Sequence, residues 1–183
     1  ITLAQINPIV GNLDHNRCKI RAAWNDAPKD TNLIVFPEMV ICGYPPEDLV
    51  LKPFFMDSVE QAVATLTKES ADHNAAILLS TPWRIDGKTY NAILLIHEGK
   101  ILATRTKRHL PNYGVFDEQR LFTPGPLPEP VKFQGLHLGV MVCEDMWHPD
   151  SAAYLKQKGA EILIVVNASP FDSKKHDTRI HLA

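Results

Sequence analysis

A run of ten residues in the second half of the chain governs its interpretation: Leu138-Gly139-Val140-Met141-Val142-Cys143-Glu144-Asp145-Met146-Trp147. The apolar segment Leu136–Val142 predicts a buried strand, and a thiol, two acids and a tryptophan follow it directly. In open α/β sheets, ligands bind at the carboxyl ends of the strands. Cys143 is therefore a candidate for chemistry at such an edge. The alternative is a small core residue, because free cysteine is among the most buried residue types.

Length and composition indicate one globular domain. The chain has 183 residues, of which 45% are hydrophobic and 22% charged, and this suits one domain over 1–183 with a substantial core. The 19 basic and 21 acidic residues give a formal charge of −2. We expect no nucleic-acid partner, because no basic excess is present. We also expect no membrane partner, because the apolar runs have only the length of strands.

The cysteines and the chain ends carry further expectations. Cys18, Cys42 and Cys143 form no close pair, which argues against a disulfide framework and against a metal site. No apolar leader follows a charged start, so we expect a cytoplasmic protein. The chain starts at Ile1 and stops in a polar, helix-like segment. We therefore expect a piece of a longer protein.

Hydrophobic periodicity predicts alternating strands and helices in the first half. The predicted strands are Thr2–Asn7, Leu33–Phe36 and Ala76–Ser80, and the predicted helices are Asn12–Ala27 and Phe54–Asn74. Asp86-Gly87 and Glu98-Gly99 are hairpin signals that separate Trp83–Ile85, Tyr90–Ile96 and Ile101–Thr106. This order predicts a mixed sheet, with parallel strands joined by helices and an antiparallel flank.

The second half contains less regular structure. Residues 107–122 are predicted to be a long polar and aromatic loop, and loops of this length are usually functional or disordered. Its aromatic residues argue against disorder. A proline-rich connector follows over 123–130. After the cysteine strand, a helix is predicted from about Pro149 to Lys158 and a strand over Glu161–Val166.

Reactive side chains follow several of the predicted strands. Glu38, Lys107 and Cys143 each stand just past a strand, and the polar segment Asn167–Ser169 follows another. A carboxylate against a thiol can remove its proton, and the thiolate is the competent nucleophile. An ammonium can stabilise the charge that develops on a carbonyl oxygen. The set lacks histidine, the usual base for a cysteine nucleophile, so spacing alone leaves the chemistry open.

Motifs around these residues continue in one order through almost the whole chain. The chain resembles the nitrilase superfamily of carbon–nitrogen hydrolases, and within it the glutamine-hydrolysing domain of glutamine-dependent NAD synthetases. The motifs that carry the resemblance are Phe36-Pro37-Glu38-Met39, Gly43-Tyr44-Pro45-Pro46-Glu47-Asp48-Leu49, Lys107, Leu110-Pro111-Asn112-Tyr113-Gly114-Val115-Phe116-Asp117-Glu118, Val142-Cys143-Glu144-Asp145-Met146-Trp147, and Asn167-Ala168-Ser169-Pro170-Phe171 followed by Lys175 and Arg179.

The resemblance implies a fold of the α/β class, a nitrilase-like αββα sandwich with mixed sheets. Family members continue well beyond Arg179, so the sandwich is expected to be truncated at its C-terminal end. The resemblance also implies a homo-oligomer. The nucleotide-binding loop of the synthetase part occurs nowhere in the sequence. The glutaminase domain itself needs no cofactor, whereas ATP, Mg and deamido-NAD are implied for the absent synthetase domain, its expected partner.

The resemblance assigns roles to individual residues. Glu38 is implied as general base, Cys143 as nucleophile towards the glutamine amide, and Lys107 with the backbone N–H of Glu144 as oxyanion stabilisers. Glu118 is implied to position the lysine and the substrate.

Tyr44, Tyr113, Ser169 and Lys175 are the candidates for contacting the backbone of glutamine. A free-standing amidase, carbamoylase or nitrilase with the same triad is the alternative within the superfamily. A second alternative is an inactive fragment or an interaction module of this fold.

Overall fold

The computed structural model describes residues 1–170 and 175–182. Its strands are β1 Thr2–Leu3, β2 Leu33–Val35, β3 Ala76–Ile85, β4 Lys88–His97, β5 Lys100–Thr106, β6 Val131–Phe133, β7 Leu136–Val142 and β8 Ile162–Val166. Its α-helices are α1 Leu13–Asn25, α2 Pro53–Glu69, α3 Pro149–Gln157 and α4 Lys175–Leu182, and short 3₁₀ helices cover Glu47–Leu51, Ser70–Asp72 and Cys143–Trp147.

The first sheet has the order β1-β2-β3-β4-β5. The pairs β1–β2 and β2–β3 are parallel, while β4 is antiparallel to both β3 and β5. Strands β2, β3 and β5 therefore run in the same direction. Glu38 and Lys107, which follow β2 and β5, are accordingly delivered to the same edge of this sheet.

Both predicted hairpins are present. Asp86-Gly87 joins the paired residues Ile85 and Lys88, and Glu98-Gly99 joins His97 and Lys100. All four turn residues have positive φ, between 47° and 76°. Two-residue turns with positive φ at both positions match the right-handed twist of the flanking strands, and glycine adopts that backbone readily at the second position.

The second sheet, β6-β7-β8, packs face to face on the first. Alternate residues of both sheets fill the layer between them, for example Val35 and Leu78 against Val140 and Ile164. Helices α1 and α2 cover the opposite face of the first sheet. Because the central strands are buried on both faces, they are nearly continuous apolar runs.

Helix α3 lies on the outer face of the second sheet. The position that a Cβ atom on Gly139 of β7 would take is 3.2 Å from a methyl carbon of Leu155 in α3. Leu155 itself is fully buried. The order of layers is therefore helix, sheet, sheet, helix, and the predicted α/β sandwich with mixed sheets is confirmed.

Several element boundaries differ from the predictions. β1 stops at Leu3 rather than Asn7, because its partner β2 has only three residues before Phe36-Pro37. β3 continues through Pro82, where it lies beyond its pairing with β2 and so needs no N–H on that side. The three-residue β6 falls in a stretch with too few residues for a recognisable period. The predicted mixed sheet proves to be two sheets.

Candidate active site

Glu38 lies just past β2 and is almost completely buried, with 1% of its surface exposed. Its backbone N–H donates to the carbonyl of Asn167, which follows β8 of the other sheet. The next residue, Met39, has a φ of 54°, and its N–H donates to the buried Ser80 hydroxyl at 2.9 Å. These contacts fix the turn, so the Glu38 carboxylate is held at the boundary between the two sheets.

Lys107 follows β5 and is fully buried. Its ammonium lies 2.9 Å from Glu38 Oε1 and 2.7 Å from Glu118 Oε1. Burial favours the neutral amine, but the attraction of these two carboxylates outweighs it and raises the pKa of Lys107 above its ordinary value. Lys107 is therefore a fixed positive charge that neutralises two buried acids.

Cys143 ends β7 and begins the 3₁₀ helix, so it occupies a sharp turn at the head of the second sheet. Its φ is 41°, a left-handed conformation that is uncommon for a residue other than glycine. Asp145 braces the turn because its carboxylate accepts the N–H groups of Val142 at 3.2 Å and His109 at 2.8 Å. Backbone strain of this kind clusters at functional sites.

The sulfur of Cys143 is buried beside the charged groups. Burial, followed by the charge of Glu38, raises the pKa of the Cys143 thiol to about 12, while Lys107 opposes the shift. The thiol is 3.3 Å from the Ser169 hydroxyl. A thiol with this pKa is protonated near neutral pH, so a base must remove its proton before it can attack.

The other predicted residues form two tyrosine–carboxylate pairs at the same edge. The Tyr44 hydroxyl donates to Glu118 Oε1 at 2.9 Å, and the Tyr113 hydroxyl donates to Glu144 Oε2 at 3.0 Å. Burial is the main cause that raises the pKa of Glu118. Lys175 begins α4, but its side chain lies outside the described residues, as does the whole of Phe171.

Two cavities adjoin these residues. One of about 720 Å³ lies beside Glu38, between the start of the chain and the ends of β2 and β8, and it also reaches Tyr44 and Ser169. The other, of about 650 Å³, is bordered by Tyr113 and Glu144. Space for a small substrate is therefore present next to the buried charges.

Two residues at this site had not been singled out from the sequence. Asp145 stands inside the cysteine motif, so its position could have drawn attention to it. Asn91 in β4 donates to Glu38 Oε1 at 2.7 Å, and nothing in the sequence around it distinguishes it from an ordinary strand residue.

Within residues 1–170 and 175–182, no group of three or more His, Cys, Asp or Glu side chains could hold a metal ion. The same part of the chain has no helix with the length and apolar character needed to cross a membrane.

Comparison with known proteins identifies the family. The carbon–nitrogen hydrolase family matches residues 1–182. This chain belongs to the carbon–nitrogen hydrolases. The glutamine-dependent NAD(+) synthetase of Rhodobacter capsulatus is 43% identical over 180 residues, which is 98% of this chain and 32% of that protein. The corresponding synthetase of Aquifex aeolicus is 36% identical over 96% of this chain and 31% of its own length.

Solved structures give the same result for this carbon–nitrogen hydrolase. A glutamine-dependent NAD+ synthetase from Acinetobacter baumannii, in complex with ADP, has a TM-score of 0.90 at 35% identity, covering 97% of this chain and 34% of that one. A carbon–nitrogen hydrolase from Helicobacter pylori has a TM-score of 0.72 at 28% identity, covering 99% and 64%. The chain thus spans about a third of the length of the synthetases that it matches.

Proposed function

We propose that this domain hydrolyses the side-chain amide of glutamine through a thioester on Cys143 and releases ammonia. The observation that carries the proposal is a single buried ammonium held between two buried carboxylates, next to a buried thiol. This arrangement supplies a nucleophile, a base and a positive charge without histidine or metal. The similarity to glutamine-dependent synthetases supports glutamine as the substrate.

The first half of the reaction forms the thioester. Glu38 removes the proton from the Cys143 thiol, and the sulfur forms a bond to the amide carbon. The electron pair of the carbonyl moves to its oxygen, which Lys107 and the backbone N–H of Glu144 stabilise. The carbon–nitrogen bond then breaks while Glu38 returns its proton to the nitrogen, and ammonia leaves.

The second half regenerates the enzyme. Glu38 removes a proton from water, and the resulting hydroxide adds to the thioester carbon, so a second oxyanion forms in the same place. The carbon–sulfur bond breaks and glutamate departs. The proton on Glu38 returns to the sulfur of Cys143.

The surrounding residues orient the reactants in this scheme. Glu118 holds Lys107 through the 2.7 Å contact and is itself held by Tyr44. We propose that Tyr44, Tyr113, Ser169 and Lys175 contact the α-amino and α-carboxylate groups of glutamine. The 3.3 Å contact between Ser169 and the sulfur supports this placement for Ser169, because a substrate bonded to the sulfur would lie beside it.

The ammonia is proposed to serve a synthetase domain in a longer parent protein. That domain would amidate deamido-NAD to NAD in an ATP- and Mg-dependent reaction, and the relatives' name and threefold greater length support this assignment. The parent is expected to be a cytoplasmic homo-oligomer, in keeping with the family resemblance.

Labelling with an electrophilic glutamine analogue tests nucleophile and substrate together. Mass spectrometry should find the analogue on Cys143, and on neither the exposed Cys18 nor the buried Cys42. Ammonia release should be faster from glutamine than from asparagine or simple nitriles. A preference for nitriles or simple amides would instead favour a free-standing amidase or nitrilase. Absence of both labelling and turnover would favour an inactive fragment or interaction module.

A further inference from the structure

Asn91 of β4 contacts both the proposed base and the strand extension that carries the lysine. Its side chain is fully buried, and its amide nitrogen donates to Glu38 Oε1 at 2.7 Å. Its backbone carbonyl accepts the N–H of Lys107 at 2.8 Å. One residue of the central sheet therefore fixes the side chain of Glu38 and the backbone of Lys107.

The two oxygens of the Glu38 carboxylate have different surroundings. Oε1 accepts hydrogen bonds from Asn91 at 2.7 Å and from Lys107 at 2.9 Å, which occupy its two lone pairs. Oε2 accepts the backbone N–H of Ala168 at 3.2 Å. The backbone of Ala168 also hydrogen-bonds the sulfur of Cys143, so Oε2 is the oxygen on the cysteine side.

We propose that Asn91 is a positioning residue that selects Oε2 of Glu38 as the proton acceptor from Cys143. The inference rests on the proposed role of Glu38 as base. In the step concerned, the S–H bond breaks, an O–H bond forms at Oε2, and the electron pair stays on the sulfur. Lys107 must also stabilise the oxyanion, and Asn91 keeps Oε1 engaged during that time. Without Asn91 the carboxylate can rotate and exchange its two oxygens.

The other end of the Asn91 amide indicates that its donor is what matters. Within the described part of the chain, the buried Oδ1 has no hydrogen-bond partner. An unsatisfied buried acceptor lowers stability, and a leucine of similar size would avoid that cost. Packing alone therefore favours an apolar residue here, whereas the contact with Glu38 requires the NH₂ group.

Alkylation by iodoacetamide tests the inference without using the substrate. The rate at Cys143 is measured by mass spectrometry from pH 5 to 9, beside glutamine turnover, in the parent chain, Asn91→Leu and Asn91→Asp. Asn91→Leu should lower both kcat and Cys143 alkylation by about 10–100-fold, the cost of losing an orienting partner at metal sites. KM for glutamine should change little.

Asn91→Asp provides a pH signature that a packing role would not produce. When its carboxyl is protonated it can still donate to Glu38, and when it ionises it repels Glu38. Its alkylation rate relative to the parent should therefore fall as pH rises, whereas the ratio for Asn91→Leu should stay low throughout. A flat ratio for Asn91→Asp would overturn the inference, as would rates within twofold of the parent for Asn91→Leu.

The other cysteines and one distant variant serve as controls. Labelling of exposed Cys18 should be equal in all variants, and buried Cys42 should stay unlabelled while the fold is intact. If Asn91→Leu labels at Cys42, it has unfolded and the nearly isosteric Asn91→Asp decides. Ser70→Ala removes a buried hydrogen bond to Gly99 at the opposite end of β5 and should keep the parent pH profile. A parent that alkylates at Cys143 but leaves glutamine intact would refute the proposed substrate, while alkylation still tests Asn91.

Discussion

Replacing the proposed base by its amide, Glu38→Gln, is the sharpest test of the mechanism. The carboxylate accepts hydrogen bonds from Asn91, Lys107 and Ala168 at 2.7, 2.9 and 3.2 Å. The amide keeps the shape of the side chain but can neither take up the thiol proton nor balance the charge of Lys107. We expect glutamine turnover to fall by about 10²–10⁴-fold, the usual cost of losing a general base.

The size of the effect follows from the state of the thiol. With the pKa of Cys143 at about 12, only about 10⁻⁵ of the sulfur would be ionised at pH 7 if no base acted. The expected loss corresponds to about 2.7–5.4 kcal/mol of transition-state stabilisation. Because the charge of Glu38 helps to raise the pKa of Cys143, the neutral glutamine should lower it. The residual rate should consequently increase with pH, about tenfold per unit.

Ammonia release measured from pH 6 to 9 gives both the loss and its pH dependence. Glu98→Gln is a matched control, because Glu98 lies on an exposed hairpin turn at the opposite end of the first sheet. The control should turn over glutamine at the parent rate. Parent-like turnover in Glu38→Gln, with its fold intact, would refute the assignment of Glu38 as base.

Three further substitutions test the nucleophile, the buried lysine and the packing of the outer helix. Cys143→Ala should abolish glutamine hydrolysis while the melting temperature stays near that of the parent, and any turnover by this variant would exclude a thioester. Lys107→Met leaves two buried carboxylates without their cation and should cost about 3–5 kcal/mol in the free energy of unfolding. Because one of these acids can be protonated, denaturant titrations should show that the deficit shrinks as pH falls from 7 to 5; a constant deficit would contradict this account. Gly139→Ala would place a Cβ atom 2.7 Å from a methyl carbon of Leu163, and it should cost about 1–3 kcal/mol without changing KM; unchanged stability would show that the layer yields easily.

Much of the fold was predictable because its local signals agree with its tertiary structure. Asn12 caps α1 through the N–H of His15, and both two-residue hairpin turns contain the Asp-Gly or Glu-Gly pair that their backbone requires. The division into two sheets was not predictable from periodicity, because strands buried on both faces give the same apolar run in either arrangement.

The site shows the same division. The resemblance drew attention to Glu38, Lys107 and Cys143, and the structure places them side by side. The positive φ of Cys143 depends on the turn between β7 and the 3₁₀ helix, which no residue type at this position announces. Asn91 depends on strand register, because only the pairing of β4 with its neighbours turns its amide towards Glu38.

The proposed base and nucleophile are carried by different sheets, and the spacing between them is therefore a property of the hydrophobic layer. Side chains such as Leu78 and Val140 act as spacers whose volume sets how far apart the two reactive edges stand. Close packing leaves little slack in such a layer, so the gain or loss of a methylene alters that separation. Residues that touch neither the substrate nor any charged group can thus adjust catalytic alignment, and selection for turnover would act on oily positions deep in the sandwich.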